Sequence, residues 1–284
     1  MASQRDIRRR IGAVKNIKQI TRAMQFVAAS KLKRAQDATL SARAYSDKID
    51  EVLADLAAVL SGGDHPLLAE REEGGKRLIV LVTTDRGLAG PLNTNTIRFA
   101  AREITGKPGD LSVVTVGRKG RDAMRRAGVP MEAHFAGFGD RPAFADVLPL
   151  ARLITDDFLA GTYARIDVIY NRFVSTLVQR PEMIQLLPIR ATEDTEGIPG
   201  NQFIFEPNPG AVLERLVPRY VATRLFQAVL EAKASEESSR MVAMKNATEN
   251  AEDLIDDLTL SYNKVRQSNI TREMIEIASG ANAR

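Results

Sequence analysis

The chain has 284 residues, of which 44% are hydrophobic and 27% are charged, a composition typical of a soluble protein of one or two domains. Its formal net charge of +4 is a mild basic excess that many soluble proteins share. The absence of cysteine excludes disulfides, thiolate metal sites and cysteine nucleophiles. No apolar run approaches the roughly 18 residues that span a bilayer, and no signal or transit peptide precedes the first helical pattern. We therefore expect a cytoplasmic protein that meets a membrane only through partners.

The first element is a long helix, predicted from Arg5 to Leu60. This segment contains no proline and one glycine, Gly12, and its apolar residues recur every three to four positions. Such a seam is typical of a helix that packs along another helix. The predicted seam residues are Ile7, Ile11, Val14, Ile17, Met24, Ala28, Leu32 and Ala35, followed by Tyr45, Ile49, Val52, Leu56 and Val59. The run Gly62-Gly63-Asp64-His65-Pro66 ends the helix.

The middle of the chain alternates between strand and helix patterns. Leu78 to Val82 is a continuous aliphatic run, as expected of a strand that is buried on both faces. Further strands are predicted at Leu111–Val116, Met131–Ala136, Ile166–Phe173, Glu182–Ile189 and Phe203–Phe205, and helices at Thr94–Ile104, Arg121–Ala127 and Ala143–Leu159. The polar segment from Ala191 to Gly200 is predicted to be a surface loop. This alternation indicates a Rossmann-like α/β domain with a mainly parallel sheet.

The C-terminal segment predicts a second long helix, from Ala211 to Ala281. After Pro218 neither proline nor glycine occurs until Gly280, and Asn208-Pro209 offers a cap and a first helical position. Its predicted seam is Met241, Met244, Thr248, Ala251, Ile255, Leu258, Tyr262 and Val265. Because the α/β insert returns the chain to its start, the two long helices should form an antiparallel coiled coil. The predicted domains are 1–62 for the N-terminal helix, 75–206 for the α/β domain and 208–284 for the C-terminal helix.

Charges on the two long helices are complementary. Ten basic residues lie between Arg5 and Arg34, whereas the C-terminal helix carries eight acids from Glu231 to Asp257. Exposed ion pairs contribute only about 0.2–1 kcal/mol each, and burial of a seam leucine about 1.5–3 kcal/mol. The seam should therefore hold the coil together while the charges set its register. If the register places Arg5 near residue 260, the last fifteen to twenty residues have no partner within the chain.

No motif in the sequence predicts catalysis. The turn Asp85-Arg86-Gly87-Leu88-Ala89-Gly90 and the turn Gly117-Arg118-Lys119-Gly120 each follow a strand, where α/β folds often bind ligands. Both lack the glycine spacing of nucleotide-binding loops, so structural turns or partner contacts are favoured. His65 and His134 lack ligand-like spacing, which favours ordinary structural roles over metal binding. We predict no catalytic residue, cofactor or metal.

Two other classes stay open at this point. The basic N-terminal helix suits a nucleic-acid-binding protein, although Phe26 is the only aromatic residue in its first thirty-four positions. Strongly salt-dependent binding of DNA or RNA would support that class. The α/β domain suits a nucleotide-dependent enzyme with helical arms, which nucleotide binding by the isolated domain would favour.

Both ends of the chain resemble a known family. The segment from Ile11 to Lys31, IGAVKNIKQITRAMQFVAASK, is similar to the N-terminal helix of the gamma subunit of rotary ATP synthases. The turn from Thr84 to Gly90 is similar to the turn after that family's first strand. The segments SRMVAMKNAT, starting at Ser239, and YNKVRQSNITRE, starting at Tyr262, are similar to its C-terminal helix. Two small departures are Ala89 and Pro91, where some members have cysteine and glycine, and the redox-regulatory cysteine insertion of chloroplast members is absent.

The resemblance implies a role for the whole chain. In this family the coiled coil is the central shaft inside a ring of three alpha and three beta subunits, and the α/β domain is a foot on the epsilon subunit and the membrane c-ring. Proton flow turns the shaft, which forces the beta sites through different nucleotide affinities. The resemblance implies no cofactor, no nucleic acid and a peripheral position on the cytoplasmic face of the bacterial inner membrane.

The resemblance also implies residues that contact the beta subunits. Met24 matches a shaft position near the acidic loop of beta, with Arg240 close to it on the opposing helix, although simple seam packing explains Met24 equally well. Arg266 and Gln267 match a catch-like contact near the top of the shaft, with a solvated helix face as the alternative. By the register argument, Ile270, Met274, Ile275 and Ile277 should also lie against other subunits.

Overall fold

The computed structural model describes residues 3–59, 65–69, 75–105, 110–189 and 205–281. Its contacts divide the chain into two compact units. We call Met1–Ala28 with Arg240–Arg284 the terminal unit, and Ala29–Ser239 the sheet unit. The helices and strands, in chain order, are α1 Gln4–Val59, β1 Arg77–Val82, α2 Leu92–Thr105, β2 Leu111–Val116, α3 Arg118–Arg126, β3 Met131–Phe135, α4 Phe144–Leu159, β4 Arg165–Phe173, β5 Gln179–Leu187 and α5 Pro209–Ala281.

The predicted secondary structure is largely confirmed. Both long helices exist, and α5 starts at Pro209, where the Asn208 side chain accepts a hydrogen bond from the Ala211 backbone N–H at 2.9 Å. The predicted strand at Phe203–Phe205, the loop at 191–200 and the turn after Leu60 lie outside the described residues, apart from Phe205, His65 and Pro66. The three predicted domain boundaries stay predictions.

The sheet has the strand order β3-β2-β1-β4-β5 and is mainly parallel, as predicted. Strands β3, β2, β1 and β4 pair in parallel, and β5 pairs antiparallel with β4 through a hairpin. The last strand begins at Gln179, three residues earlier than the sequence indicated, because the hairpin turn occupies only the residues between Phe173 and Gln179.

Helices cover both faces of this sheet, which explains the continuous apolar run of β1. Leu78, Val80 and Val82 pack into a core with α4 and with the parts of α1 and α5 that belong to the sheet unit. Ile79 and Leu81 point to the opposite face and pack with Ala100 of α2 and Met124 of α3. Successive residues of a strand face opposite sides, so a strand between two helical layers must be apolar at every position.

In the terminal unit, α1 and α5 run antiparallel. The Gln4 side chain donates to the Tyr262 hydroxyl at 3.0 Å, and the Thr21 and Thr248 hydroxyls lie 2.8 Å apart. The later residue of α1, Thr21, contacts the earlier residue of α5, Thr248, so the two helices run in opposite directions. The predicted seam of α5 is confirmed here: Met244 and Ala251 are buried, and the other six predicted residues are half-buried.

Two predicted seam residues of α1 are wrong. Ile17 is 52% exposed, and the row of least exposed residues passes instead through Lys18 and Thr21. In the sheet unit Tyr45 is 46% exposed, and the row of buried residues begins at Ser46 and continues through Ile49, Leu53 and Leu56. The physical reason is helix periodicity. The seam advances by three and four residues in turn, so after Ile11 and Val14 it reaches positions 18 and 21. These positions face the partner helix even though lysine and threonine occupy them.

Candidate functional sites: the strand edge and the long helices

The carboxylate of Asp85 connects the ends of three parallel strands. Asp85 follows β1, and its Oδ1 accepts a hydrogen bond from the backbone N–H of Arg118, the first residue of α3, at 3.0 Å. Its Oδ2 accepts from the backbone N–H of Gly137, just after β3, also at 3.0 Å. A helix N-terminus favours negative charge, and here a side chain of the protein itself supplies that charge. The position that α/β proteins use for a ligand anion is therefore taken by Asp85.

Two glycines in the second turn are explained by close packing. A Cβ on Gly117 would lie 2.2 Å from the backbone oxygen of Thr83, and one on Gly120 would lie 2.8 Å from the Thr83 hydroxyl. Gly117 also has φ +96°, which side chains rarely adopt. The Thr83 hydroxyl accepts a hydrogen bond from the Gly120 N–H at 2.8 Å. These contacts favour the structural interpretation of both turns over a phosphate-binding loop.

A cavity of about 290 Å³ lies at this edge of the sheet, lined among others by Asp85, Arg118, Phe138, Asp140 and Lys233. Its acids already have partners, since Asp85 holds two backbone N–H groups and Asp140 holds two lysines. Among the described residues, no group of three His, Asp or Glu side chains is placed to hold a metal ion.

A partly buried ion cluster holds the loop after β3 between two helices. Lys31 of α1 lies 2.7 Å from Asp140, and Lys233 of α5 lies 3.5 Å from the same carboxylate. Lys233 also contacts Glu236 at 3.1 Å and Glu237 at 3.2 Å, and both glutamates are buried. The cluster joins α1, the loop and α5 inside the sheet unit. Sequence reasoning missed it, because these glutamates have the spacing of an exposed helix face.

The cluster shifts the pKa values of its members. The hydrogen bond from Lys31, with further attraction from Lys233, holds the pKa of Asp140 below its usual value. Burial would lower the pKa of Lys233, but Glu236 and Glu237 outweigh burial and raise that pKa. Both shifts favour the charged forms, so the cluster is stable as ion pairs near neutral pH.

A second polar cluster lies between α1, β4 and α5 of the sheet unit. Arg43 donates to Oε1 of the buried Glu231 at 2.9 Å, and Arg224 lies 3.2 Å from Asp50. Burial, followed by repulsion between the Glu231 carboxylate and a Tyr170 phenolate, raises the pKa of Tyr170. Arg43 lies on α1 beyond the ten basic residues from Arg5 to Arg34 whose charge was noted in the sequence.

The structure places the predicted partner-contact residues in the terminal unit. Met24 is half-buried on α1, and Arg240 is 9% exposed on α5. Arg266 and Gln267 are exposed. The apolar residues that follow are exposed as well: Ile270 by 46%, Met274 by 60%, Ile275 by 62% and Ile277 by 73%.

These last apolar residues stand beyond the end of α1. Tyr262 lies beside Gln4, the first residue of α1, and α5 continues to Ala281, about five further turns. The predicted register is confirmed. Among the described residues, α1 therefore offers nothing opposite Ile270, Met274 or Ile277.

Comparison with known proteins decides the family. A family model described as ATP synthase matches residues 3–283. The ATP synthase gamma chain of Dehalococcoides mccartyi strain BAV1 is 47% identical over all of this chain and 99% of its own length. That of Pelotomaculum thermopropionicum is 44% identical, again over 100% of this chain and 99% of its own. This chain belongs to the ATP synthase gamma chain family.

Solved structures show the same fold. A chain from the OSCP/F1/c-ring structure of Euglena gracilis mitochondrial ATP synthase matches with a TM-score of 0.70, at 21% identity, over 99% of this chain and 94% of that one. A chain from the central stalk and c-ring of the Tetrahymena thermophila mitochondrial enzyme matches with a TM-score of 0.62, at 23% identity, over 80% and 99%. In the part of this gamma-family chain that the structure describes, no helix has the length and apolar character to cross a membrane.

Proposed function

We propose that the chain is the central rotor shaft of a proton-driven ATP synthase. In this role it couples rotation of the membrane c-ring to conformational changes, and so to ATP synthesis and hydrolysis, at the beta-subunit sites. It carries no catalytic residue itself. The observation that carries the proposal is the end of α5, a helical segment with exposed Ile270, Met274 and Ile277 and no α1 beside it.

Exposed apolar rows of this kind indicate surfaces that other chains cover. The same holds for Ile17, Ile20, Phe26 and Val27 on α1, each of which is more than half exposed. An antiparallel helix pair with apolar side chains on its outside is suited to lie within a ring of other subunits. Its two helices differ in sequence on every side, so rotation presents a different surface to each neighbour.

Such asymmetry supplies the coupling. A shaft orientation that contacts one conformer of a beta subunit better than another shifts the population of that subunit toward the favoured conformer. By linkage, nucleotide binding at that subunit then favours the same shaft orientation, so the coupling works in both directions.

The proposed partners are three alpha and three beta subunits, the epsilon subunit and the c-ring. The proposed contacts to beta are Met24, Arg240, Arg266, Gln267, Ile270, Met274, Ile275 and Ile277. The sheet unit would be the foot on epsilon and the c-ring, at the cytoplasmic face of the bacterial inner membrane. Support comes from the bacterial gamma chains that match over their full length and from the rotor and c-ring structures that share the fold. We propose neither a cofactor nor nucleic acid as a ligand.

Gentle purification of the tagged chain from its source tests the proposal. We expect recovery of alpha- and beta-sized partners together with ATPase activity. Recovery of the chain alone, or of nucleic acid that is lost at high salt, would contradict it. Nucleotide binding by the isolated full chain would favour an enzyme instead, and occupation of the α3 N-terminus by Asp85 argues against that outcome.

A further inference from the structure

The hairpin between β4 and β5 exposes three apolar side chains. Val174 is 55% exposed, Leu177 is 79% exposed and Val178 is 38% exposed. We call these three residues the hairpin tip. Among the described residues, Leu177 is the most exposed large apolar side chain. Single exposed leucines are common, but three apolar side chains on one turn form a patch.

Hydrogen bonds hold the hairpin tip in one conformation. The backbone N–H groups of Val174 and Ser175 both donate to the carbonyl of Val178, at 3.2 and 3.0 Å. The Gln179 side chain donates to the carbonyls of Ser175 and Thr176, each at 3.1 Å. An apolar patch on an ordered turn loses little conformational entropy when a partner covers it.

Helix α5 anchors the turn between β4 and β5. The hydroxyl of Ser238, a fully buried residue of α5, donates to the carbonyl of Thr176 at 2.6 Å. The next residue, Ser239, donates in the same way to the carbonyl of Ala89, at 2.9 Å. Adjacent residues of α5 thus hold two loops at the same edge of the sheet.

A groove of about 490 Å³ borders the hairpin tip and contains three arginines. It is lined by Arg43, Arg172, Phe173, Val174, Arg180, Pro181 and Glu182, and we call it the arginine groove. Glu182 lies 3.6 Å from Arg172, and Glu231 binds Arg43. Arg180 is exposed and forms no ion pair with any described residue. A carboxylate from outside the chain would find a cationic partner there.

We propose that the hairpin tip and the arginine groove together dock a neighbouring subunit of the ATP synthase. The matching segment of that subunit would cover Leu177 with apolar side chains and place carboxylates in the groove. An apolar centre with a charged rim is the usual composition of a protein interface. A second copy of this chain is disfavoured, because its own arginines would face these arginines. The inference rests on the proposed function, since it requires neighbouring subunits.

Photo-crosslinking in the assembled complex tests the inference. A benzophenone amino acid replaces Leu177 in the full chain, and the matched control carries it at Leu159, an apolar residue of α4 that is 47% exposed. We expect the probe at 177 to crosslink another ATP synthase subunit at least about tenfold more than the control. Crosslinks to lipid or to a second copy of this chain, or no crosslinks beyond the control, would overturn the inference.

Substitutions test the proposed chemistry of the partner. We expect Leu177→Glu to reduce the fraction of chain that migrates with the complex on native gels, and Leu177→Lys to reduce it less, because the partner is acidic. In the same way Arg180→Glu should reduce that fraction while Arg180→Lys should not. Equal losses for both signs of charge would contradict an acidic partner. Leu177 is exposed, so the thermal melting of each isolated variant should match that of the unaltered chain.

The two proposals fail separately. If the chain recovers no alpha- and beta-sized partners, the proposed function is wrong. If an active complex assembles but the probe at 177 reaches no other subunit, only the docking surface is wrong.

Discussion

Lys233 is the residue on which the ion cluster of the sheet unit depends. Its side chain is 13% exposed, and its ammonium group contacts three carboxylates, those of Asp140, Glu236 and Glu237. Taking charges out of water is costly, and attraction repays that cost only while the partners stay together. The cluster therefore holds α5 and the loop after β3 in one arrangement.

We predict that Lys233→Met lowers the free energy of unfolding by about 3–5 kcal/mol, because it removes a cation that contacts two buried glutamates. Urea unfolding of the isolated chain at pH 7 measures the loss. Lys245→Met is the control, since the Lys245 side chain is 60% exposed and its ion pair with Glu249 is 3.8 Å long. Equal losses in the two variants would contradict the role of the cluster.

The lowered pKa of Asp140 predicts that the stability of the folded protein falls at acid pH. Its pKa is lowered in the folded protein, so its stabilising contribution is present above the ordinary value of 3.8 and is lost as the pH falls through the lowered pKa. Asp140→Asn should therefore lower the urea midpoint at pH 6 and have a smaller effect at pH 3. Asp37→Asn, which alters an exposed pair on α1, provides the comparison. A loss of the same size at both pH values would refute the prediction.

At the scale of the element, α1 has a different function in each unit. In the terminal unit its seam contains Lys18 and Thr21, and Lys18 reaches Glu252 of α5 at 2.7 Å. In the sheet unit its seam contains Ile49, Leu53 and Leu56, which join the main core. The seam of α1 is partly polar where the proposed function surrounds the helix with other subunits, and it is apolar where the helix stabilises its own domain.

This difference predicts where α1 contributes to stability. Leu56 is fully buried, and Leu56→Ala should lower the free energy of unfolding by about 2–5 kcal/mol. Leu40 lies on the same helix but is 62% exposed. Leu40→Ala should therefore change the free energy of unfolding by less than about 0.5 kcal/mol. Urea unfolding of the two isolated variants makes the comparison, and similar losses would show that Leu56 is not a core residue.

Met24 predicts an effect on coupling rather than on folding. We expect Met24→Lys to weaken the coupling of ATP turnover to proton pumping, because it places a charge near the proposed acidic loop of beta. Met24→Leu keeps an apolar side chain of similar size and should preserve coupling. Protons pumped per ATP in reconstituted vesicles measure the effect, and an unchanged ratio in Met24→Lys would refute it.

At the scale of the whole molecule, the end of α5 should matter only in the assembly. Arg266 and Gln267 are exposed, so Arg266→Ala with Gln267→Ala should leave the circular dichroism of the isolated chain unchanged. In the complex we expect the double variant to impair assembly or ATPase activity, because it removes proposed contacts to beta. Lys264→Ala with Ser268→Ala, at exposed positions of the same helix, is the control. Normal ATPase activity in the purified double variant would rule out the contact.

The sequence by itself determined the elements and the family. Long runs without proline or glycine predicted α1 and α5, the aliphatic run of β1 predicted a strand between two helical layers, and motifs at both ends indicated the gamma chain. These features are local, because helix periodicity and strand burial are written in neighbouring residues. The predicted pairing of the two long helices, with Arg5 near residue 260, was confirmed by the contact between Gln4 and Tyr262.

Only the tertiary structure decided the polar contacts. Asp85 meets Arg118 and Gly137 across three strand ends, and Lys233 meets Asp140 across 93 positions of sequence. Such contacts depend on how distant elements pack, which no periodicity reveals. The same limit explains the errors at Ile17 and Tyr45, since the exposed side of a helix depends on what packs against it. The exposure of Leu177 was missed for the same reason. It depends on the conformation of the hairpin turn, which Ser238 of α5 holds in place.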